Sequence, residues 1–279
     1  DYAGLSHFSS SEKKDKFAFM RAFGFRNNGN WTFYNEGSTL FADCFFGVKY
    51  LISQFDTTGK GYQIIYNDSG ECVYENNDAL PLMFSSDAAV RDVDYEDSDD
   101  PFRFQGKLAD AITGSDMNIF TPLKCAEKTL SDGSVEFDCS VQKAGLVEMY
   151  FTAPGLQNTE IYINDEDRGQ YFATYRWNVM EYGQHDKGDT IKIRIASNDG
   201  TAVNVTDAYI YTEDIEKIRQ FSKEVNTDDS SLEKISSSHY RGNITSSTGC
   251  LLFTIPYDDA WSIKIDGRKT EAKKAAGML

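Results

Sequence analysis

Hydrophobic and polar residues alternate over much of the middle of the chain, as they do in strands that bury one face. The run at 188–197 shows the pattern, with isoleucines at every second position and basic residues between them: Ile191, Ile193 and Ile195, then Lys192 and Arg194. Comparable runs lie at 134–142, 145–155, 159–165 and 204–214. Short strands separated by turns every ~8 to 15 residues predict a β-sandwich. The isoleucines are expected to face its interior and the basic residues the solvent.

Apolar residues at helical spacing predict three helices, at 11–24, 101–113 and 212–225. In the first of these, Ser11 is a suitable N-cap, and a glycine follows the last apolar position. Residues 37–53 predict a short helix, a break at Gly47 and then a strand. Residues 61–76 predict a hairpin, and 80–86 a further strand. The first part of the chain is therefore expected to mix helices and strands.

Together these elements predict a mainly β (α+β) fold in three consecutive parts. The parts are a small mixed α/β subdomain (1–95), a jelly-roll or galactose-binding-like β-sandwich (96–212), and a helix with the start of a second, truncated β-sandwich (213–279). In the last part, "IPYDDAWSIKIDGRKT" reads as a hairpin whose second strand holds Trp261, Ile263 and Ile265 in alternation with polar residues. These three side chains are expected to pack inside.

The charge of the chain limits its partners. A net charge of −16 and a pI of about 4.6 disfavour nucleic acid and anionic lipid, because both are themselves negatively charged. No run reaches the ~20 apolar residues that a membrane span needs. The acid-rich stretch 92–100 is expected to be a solvated linker. A calcium site is the alternative, although the spacing of the acids fits no EF-hand loop.

Metal, redox and catalytic chemistry have little support in the sequence. The five cysteines form no CxxC pair, and the three histidines lie far from them, so no zinc site is predicted. Scattered buried thiols are expected, with one disulfide as the alternative. The sequence shows none of the common motifs for a nucleophile, a dinucleotide or a phosphate. We therefore predict no catalytic residue, no metal and no cofactor.

Aromatic residues near predicted loops are the better functional lead. These candidates for glycan binding are Trp31, Tyr34, Trp177, Tyr257 and Trp261. Sandwiches often bind sugars at such places, because a flat ring covers sugar C–H groups while nearby polar groups fix the orientation. Packing in the core is the alternative for each of them, most clearly for Trp261 with its regular alternation.

Four stretches together resemble one family. "DYAGLSHFSS", "FADCFFGVKYLIS", "YENNDALPLMF" and "IPYDDAWSIKIDGRKT" are similar, in this order, to motifs of the YfhO family of bacterial multi-pass membrane proteins. In the last stretch, Ala260 stands where the family usually has a glycine. The motif residues present in this chain are Asp43, Gly47, Tyr50, Pro81 and Asp266. Capping of a turn between helix and strand is an alternative role for the first of these.

The resemblance implies a cell-membrane protein with a GT-C-type glycosyltransferase architecture. This chain would be its extracytoplasmic region, joined to the membrane by flanking helices outside residues 1–279, and the catalytic acid would lie elsewhere. Such enzymes move a sugar from a polyprenyl-phosphate carrier to a cell-envelope polymer such as teichoic acid. The expected function is a non-catalytic domain that recognises the envelope glycan or the polyprenyl-linked sugar. The alternatives are a scaffolding domain that binds envelope proteins, and a glycan hydrolase with two facing carboxylates.

Overall fold

The computed structural model describes residues 7–8, 14–26, 31–34, 37–53, 58–68, 70–95, 98–156, 159–171, 177–226, 230–236, 238–245 and 250–278. Within these ranges the α-helices are α1 (Lys14–Ala22), α2 (Leu40–Phe45), α3 (Pro101–Thr113) and α4 (Ile215–Val225). The first ten strands are β1 (His7–Phe8), β2 (Trp31–Thr32), β3 (Tyr50–Ser53), β4 (Gln63–Asp68), β5 (Glu71–Glu75), β6 (Met83–Ser86), β7 (Phe120–Pro122), β8 (Lys124–Thr129), β9 (Val135–Ser140) and β10 (Gly145–Thr152). The others are β11 (Thr159–Ile163), β12 (Glu166–Tyr171), β13 (Met180–His185), β14 (Thr190–Ser197), β15 (Asp207–Glu213), β16 (Ser231–Ser236), β17 (His239–Asn243), β18 (Cys250–Phe253), β19 (Ile263–Ile265) and β20 (Arg268–Thr270). The predicted mainly β fold is confirmed.

The chain forms two compact units, each assembled from stretches that are distant in sequence. Unit 1 comprises Asp1–Thr39, Asp99–Arg103 and Phe120–Ile215. Unit 2 comprises Leu40–Ser98, Phe104–Ile119 and Glu216–Leu279. The three consecutive parts expected from the sequence, with boundaries after residues 95 and 212, stay a prediction.

Unit 1 contains a β-sandwich of two antiparallel sheets. One sheet has the strand order β13-β10-β15-β7, and the other has the order β12-β11-β14-β9-β8. Their inner faces meet in one apolar core, to which β14 and β10 each contribute three fully buried side chains: Ile191, Ile193 and Ile195, and Val147, Met149 and Phe151. On the outer face of β14, Lys192 and Arg194 pair with carboxylates, each at 3.6 Å. The predicted direction of the isoleucine face is confirmed.

A disulfide joins two strands of the five-stranded sheet. Cys125 of β8 and Cys139 of β9 are directly opposite in the register of this pair and are bonded to each other. The expectation of scattered buried thiols is therefore wrong for these two cysteines, and the disulfide alternative is correct. Cys44, Cys72 and Cys250 are thiols.

A glycine ends the first helix of unit 2. The N–H of Val48 donates to the carbonyl of Asp43 at 2.9 Å, and the N–H of Gly47 donates to the carbonyl of Cys44 at 3.1 Å. This pair of bonds is the Schellman motif, which needs a left-handed residue after the helix. Gly47 has φ +67°, and a Cβ there would lie 2.6 Å from the carbonyl oxygen of Leu80. The predicted break at Gly47 is thus confirmed.

The strands of unit 2 form small antiparallel sheets. They are the three-stranded sheet β3-β5-β4 and the two-stranded sheets β18-β6, β16-β17 and β19-β20. Helix α4 packs on α2, where the rings of Phe41 and Phe221 lie 5.2 Å apart. The second sandwich expected in this part of the chain stays a prediction.

The hairpin predicted at 255–270 forms with different partners. Strand β18 pairs with β6, and β19 pairs with β20 across a turn at Asp266 and Gly267, whose φ angles of 49° and 78° suit a type I′ turn. The predicted hairpin, in which the strand ending in "IPY" pairs with the strand "WSIKIDG", is therefore wrong. The inward alternation is wrong too, because Ile265 is 46% exposed while Trp261 and Ile263 are only partly buried. Among the described strands, β19 and β20 pair only with each other, so they form a separate two-stranded sheet instead of joining a sandwich.

Candidate functional site

Unit 2 contains an open groove of about 890 Å³. Its walls come from the hairpin β16-β17, the strand pair β18-β6, the hairpin β19-β20 and the segment 270–275. Ligand sites in proteins commonly measure about 300–1,000 Å³, so this volume suits a small organic ligand. We call this space the unit 2 groove.

Trp261 lies in the groove wall, on a loop that hydrogen bonds to Asp258 hold in place. The Asp258 carboxylate accepts the N–H of Ala260 at 2.9 Å, and the Asp258 carbonyl accepts the N–H of Trp261 at 3.0 Å. Aspartate favours such turns because its side chain bonds the backbone two residues later. Ala260 keeps a negative φ, so this turn does not require the glycine that is usual in the family motif. The indole Nε1–H donates to the carbonyl of Pro256 at 3.3 Å, which fixes the ring against its loop.

A second aromatic ring lines the groove beside Trp261. Tyr240 lies in β17, opposite Lys234 of β16, and its ring centroid is 6.3 Å from that of Trp261 with a 58° angle between the planes. This distance and tilt are typical of a favourable aromatic pair. Both rings are only partly buried, so each leaves surface in the groove.

Charged and polar side chains complete the groove. The described lining residues with basic side chains are Arg91, Arg241, Lys264 and Lys273, and those with acidic side chains are Asp266 and Glu271. His239 and Asn243 add further hydrogen-bonding groups. With four basic and two acidic side chains, the lining has a positive net charge, whereas the net charge of the whole chain is −16. Such a groove can hydrogen-bond hydroxyl groups and attract an anion.

Among the aromatic residues that the sequence suggests for glycan binding, Tyr257 lies in the same loop as Trp261. Its N–H donates to the carbonyl of Gly277 at 3.2 Å, which ties the loop to the end of the described chain. Its hydroxyl donates to Asp259 Oδ1 at 3.0 Å, and this bond raises the pKa of the phenol above its ordinary value. Tyr257 is not among the lining residues of the groove, so its contribution is to support the loop.

The other three candidates for glycan binding, Trp31, Tyr34 and Trp177, belong to unit 1. Trp31 lies in β2, opposite Phe8, and its side chain is outside the described part of the structure. The Tyr34 ring lies 6.2 Å from that of Phe25. Trp177 packs against the sandwich core, and its ring centroid lies 5.9 Å from the Arg21 guanidinium. Their role in glycan binding stays a prediction.

The family-motif residues have separate surroundings within unit 2. Asp43 is 2% exposed and lies in α2, where its carboxylate accepts the Tyr62 hydroxyl at 2.5 Å. Pro81 is partly buried just before β6, and Tyr50 starts β3 with 56% of its surface exposed. Of the five motif residues, only Asp266 lines the groove, in the turn between β19 and β20. Asp43 and Gly47 thus make structural contacts, and Asp266 is the motif residue at the groove.

The acid-rich stretch combines exposed and structural carboxylates. Asp100 Oδ1 accepts the N–H groups of Phe102 and Arg103 at 3.0 and 3.1 Å, which caps α3. Its other oxygen accepts the Tyr211 hydroxyl at 2.8 Å. Glu96 and Asp97 lie outside the described residues. Among the residues that the structure describes, no group of three or more His, Cys, Asp or Glu side chains is placed to hold a metal ion.

Sequence reasoning identified Trp261 and Asp266 but missed the other groove residues. Tyr240 stands in "SHYRGN", a polar run that shows no alternation. It carries the same signal as the predicted candidates, an aromatic residue at the end of a strand, and could have been selected by it. The basic lining residues carry no signal of their own, since lysines and arginines are common on every surface.

The fold and the groove define a β-rich domain with an aromatic and basic ligand groove. In the part of the chain that the structure describes, no helix combines the length and apolar character needed to cross a bilayer. The chain belongs to the family described as bacterial membrane protein YfhO, whose model matches residues 1–279. The resemblance seen in the motifs is confirmed, and with it a membrane-associated role.

Other comparisons add little. No curated relative matches the chain. Among solved structures, a ruminal GH26 endo-β-1,4-mannanase is similar at 18% identity with a TM-score of 0.23, over 32% of this chain and 19% of that one. A GH31 α-xylosidase from Xanthomonas citri is similar at 9% identity with a TM-score of 0.18, over 36% of this chain and 14% of that one. The chain thus spans less than a fifth of either enzyme, and likenesses this weak carry no functional argument.

Proposed function

We propose that this chain is a non-catalytic glycan-recognition domain on the extracytoplasmic face of the membrane. It would support the transfer of a sugar from a polyprenyl-phosphate carrier to a cell-envelope polymer, with the catalytic acid elsewhere in the protein. The observation that carries the proposal is the unit 2 groove, in which Trp261 and Tyr240 stand side by side among hydrogen-bonding groups.

The chemistry of the groove favours a sugar over an apolar ligand. The two partly buried rings offer apolar faces to sugar C–H groups. Asn243, Asp266 and Glu271 offer donors and acceptors for sugar hydroxyl groups. A purely apolar ligand would leave those polar groups without partners, which lowers its affinity.

Local charge supports an envelope polymer as the glycan. A chain with a net charge of −16 repels polyanions in general. The groove lining differs, because its four lysines and arginines outnumber its two acids. A phosphate-bearing polymer such as teichoic acid would therefore meet a local positive field within about one Debye length, about 10 Å at moderate salt.

The disulfide supports the extracytoplasmic placement. Structural disulfides persist in oxidising compartments and are rare in the reducing cytosol. The bond between Cys125 and Cys139 joins adjacent strands of the sandwich in unit 1. A domain with such a bond is expected on the outer side of the cell membrane.

Isothermal titration of the purified 279-residue chain tests the proposal. The probes are neutral disaccharides of glucose, of galactose and of N-acetylglucosamine, and the anionic polymer poly(glycerol phosphate). Trp261→Ala is expected to weaken binding at least about tenfold, because the ring face is lost. Tyr66→Ala is the matched control, since Tyr66 is 58% exposed and does not line the groove.

A charge variant separates the two kinds of probe. Replacing Arg241 and Lys264 by glutamine is expected to weaken binding of poly(glycerol phosphate) at low salt and to leave the neutral sugars nearly unchanged. If the folded wild-type chain binds none of the probes, the glycan proposal fails, and the scaffolding alternative gains weight.

A further inference from the structure

The three-stranded sheet of unit 2 buries one face at its central strand β5 and exposes apolar side chains on the opposite face. Leu51, Tyr74 and Ile64 are paired across β3, β5 and β4. Tyr74 is only 2% exposed and Leu51 is partly buried, so their side of β3 and β5 faces the core, whereas Ile64 in the edge strand β4 is 44% exposed. Neighbouring residues in a strand point to opposite faces. The next row, Ile52, Val73 and Tyr66, therefore faces outward.

The outward face is unusually apolar for a solvent-exposed surface. Ile52 is 71% exposed, Tyr66 is 58% exposed, and Tyr50 on the same face of β3 is 56% exposed. Ile65, the extra residue where the register between β4 and β5 shifts, is also exposed. We call these four side chains the apolar face. None of them lines the unit 2 groove.

Acidic residues border this face at both ends. Glu75 lies opposite Tyr50, and Lys49 pairs with its carboxylate at 3.4 Å. Asp68 and Glu71 lie at the end of the β4-β5 hairpin, where Tyr66 donates its hydroxyl to Asp68 at 3.4 Å. The tyrosine rings are thus apolar surfaces with polar tips, the character that favours the boundary between water and lipid.

The size of the face argues against a stable protein interface. A fully exposed large side chain has a surface of about 150–250 Å². Because the four side chains are between 49% and 71% exposed, the apolar face presents roughly 450 Å² in total. A stable protein complex buries about 800 Å² on each partner, so the face supplies little more than half of that area. A lipid surface needs no matching shape, and shallow insertion of a few side chains is sufficient for weak binding.

We propose that the apolar face docks unit 2 on the lipid bilayer, with Ile52, Tyr66, Tyr50 and Ile65 in the interfacial layer. Membership of a membrane-protein family places a bilayer near the chain. The net charge of −16 makes zwitterionic lipid the favoured surface, because anionic headgroups repel the acidic chain. This inference is independent of glycan binding, since it uses another surface of unit 2.

Vesicle flotation of the 279-residue chain tests the docking. One set of vesicles is pure phosphatidylcholine, and in the other a quarter of the lipid is phosphatidylglycerol. The chain is expected to float with the first set and less with the second. The double variant Ile52→Ser, Tyr66→Ser is expected to lose at least about tenfold in partitioning. The control is Ile235→Ser, because Ile235 is 49% exposed in β16, away from the apolar face, and this variant is expected to float like the wild type.

Circular dichroism and thermal unfolding establish that each variant is folded. The docking is overturned if the folded wild type does not float, or if the double variant floats equally well. Binding that requires phosphatidylglycerol also overturns it. Sedimentation velocity provides the last check: self-association that the double variant abolishes, without flotation of the wild type, would assign the face to a second copy of the chain.

Discussion

The hydroxyl of Tyr62 donates to Asp43 Oδ2 over 2.5 Å inside unit 2, where both side chains are almost fully buried. The bond joins helix α2 to the residue that precedes β4. A buried polar group is costly unless it is hydrogen-bonded, so the Tyr62 hydroxyl provides a partner for the carboxyl group that this motif residue brings into the core. Asp43 is therefore an anchor between two elements, which gives this motif aspartate a structural role.

Removal of this hydroxyl should destabilise the chain. Tyr62→Phe is expected to lower the free energy of unfolding by at least about 1 kcal/mol, the usual net contribution of an intramolecular hydrogen bond. Tyr66→Phe is the control, because its hydroxyl is exposed and bonds over 3.4 Å, and its effect should stay within about 0.5 kcal/mol. Urea unfolding of both variants measures the difference. Equal stabilities would show that the buried bond contributes nothing.

Gly47 should tolerate no side chain. Gly47→Ala would force a left-handed φ of +67° on alanine and place Cβ 2.6 Å from the Leu80 carbonyl oxygen. We expect a loss of at least about 2 kcal/mol in the free energy of unfolding. At Gly59 a Cβ meets nothing within 4 Å, so Gly59→Ala should be nearly neutral in the same denaturation experiment. A Gly47→Ala variant as stable as wild type would contradict the Schellman geometry.

The disulfide should stabilise the sandwich. Cys125 and Cys139 are 14 residues apart, and a loop of that length gives about 3 kcal/mol through the entropy of the unfolded chain. The double variant Cys125→Ser, Cys139→Ser should therefore unfold at lower denaturant, and a reducing agent should have the same effect on the wild type. Cys72→Ser is the control, since Cys72 is a thiol. An unchanged midpoint under reducing conditions would count against the bond.

Asp199 should titrate at unusually low pH. Its carboxylate accepts the Ser197 hydroxyl and the Thr201 N–H, and these bonds lower its pKa to about 2. Because the folded pKa lies below the unfolded value of about 3.9, the stabilisation is present above that pH and is lost as the pH falls through about 2. NMR titration of the side-chain carboxyl carbon measures the pKa. Ser197→Ala should raise the pKa of Asp199, and the control Ser140→Ala should leave it unchanged. A pKa near 4 in the wild type would show that the hydrogen bonds to the Asp199 carboxylate do not form.

Much of the fold could be predicted because its signals are local. Helix α3 matches the predicted 101–113, since Pro101 suits a first turn and Asp100 caps it. The central strands of the sandwich were predicted because one of their faces is buried. Strands β8, β12 and β13 lie at sheet edges, where exposed side chains give no alternation to detect. The disulfide could not be assigned either, because the register of β8 determines which cysteines meet.

The candidate site could be predicted only in part. Trp261 and Asp266 stand in a recognisable motif, whereas Tyr240 and the basic residues join them through contacts between separate hairpins. No spacing in the sequence encodes such contacts. The apolar face was hidden for a similar reason: Ile52 and Tyr66 look like ordinary strand residues until the pairing shows that the opposite face is the buried one.

The most direct test of glycan recognition uses the three tryptophans of the chain. Their indole N–H signals in a ¹⁵N–¹H correlation spectrum can be assigned with the single variants Trp31→Phe, Trp177→Phe and Trp261→Phe. On titration with the disaccharides and poly(glycerol phosphate), the account predicts that the Trp261 signal shifts progressively while the other two stay in place. Movement of the Trp31 or Trp177 signal with Trp261 unchanged, or no movement at all in the folded chain, would contradict it.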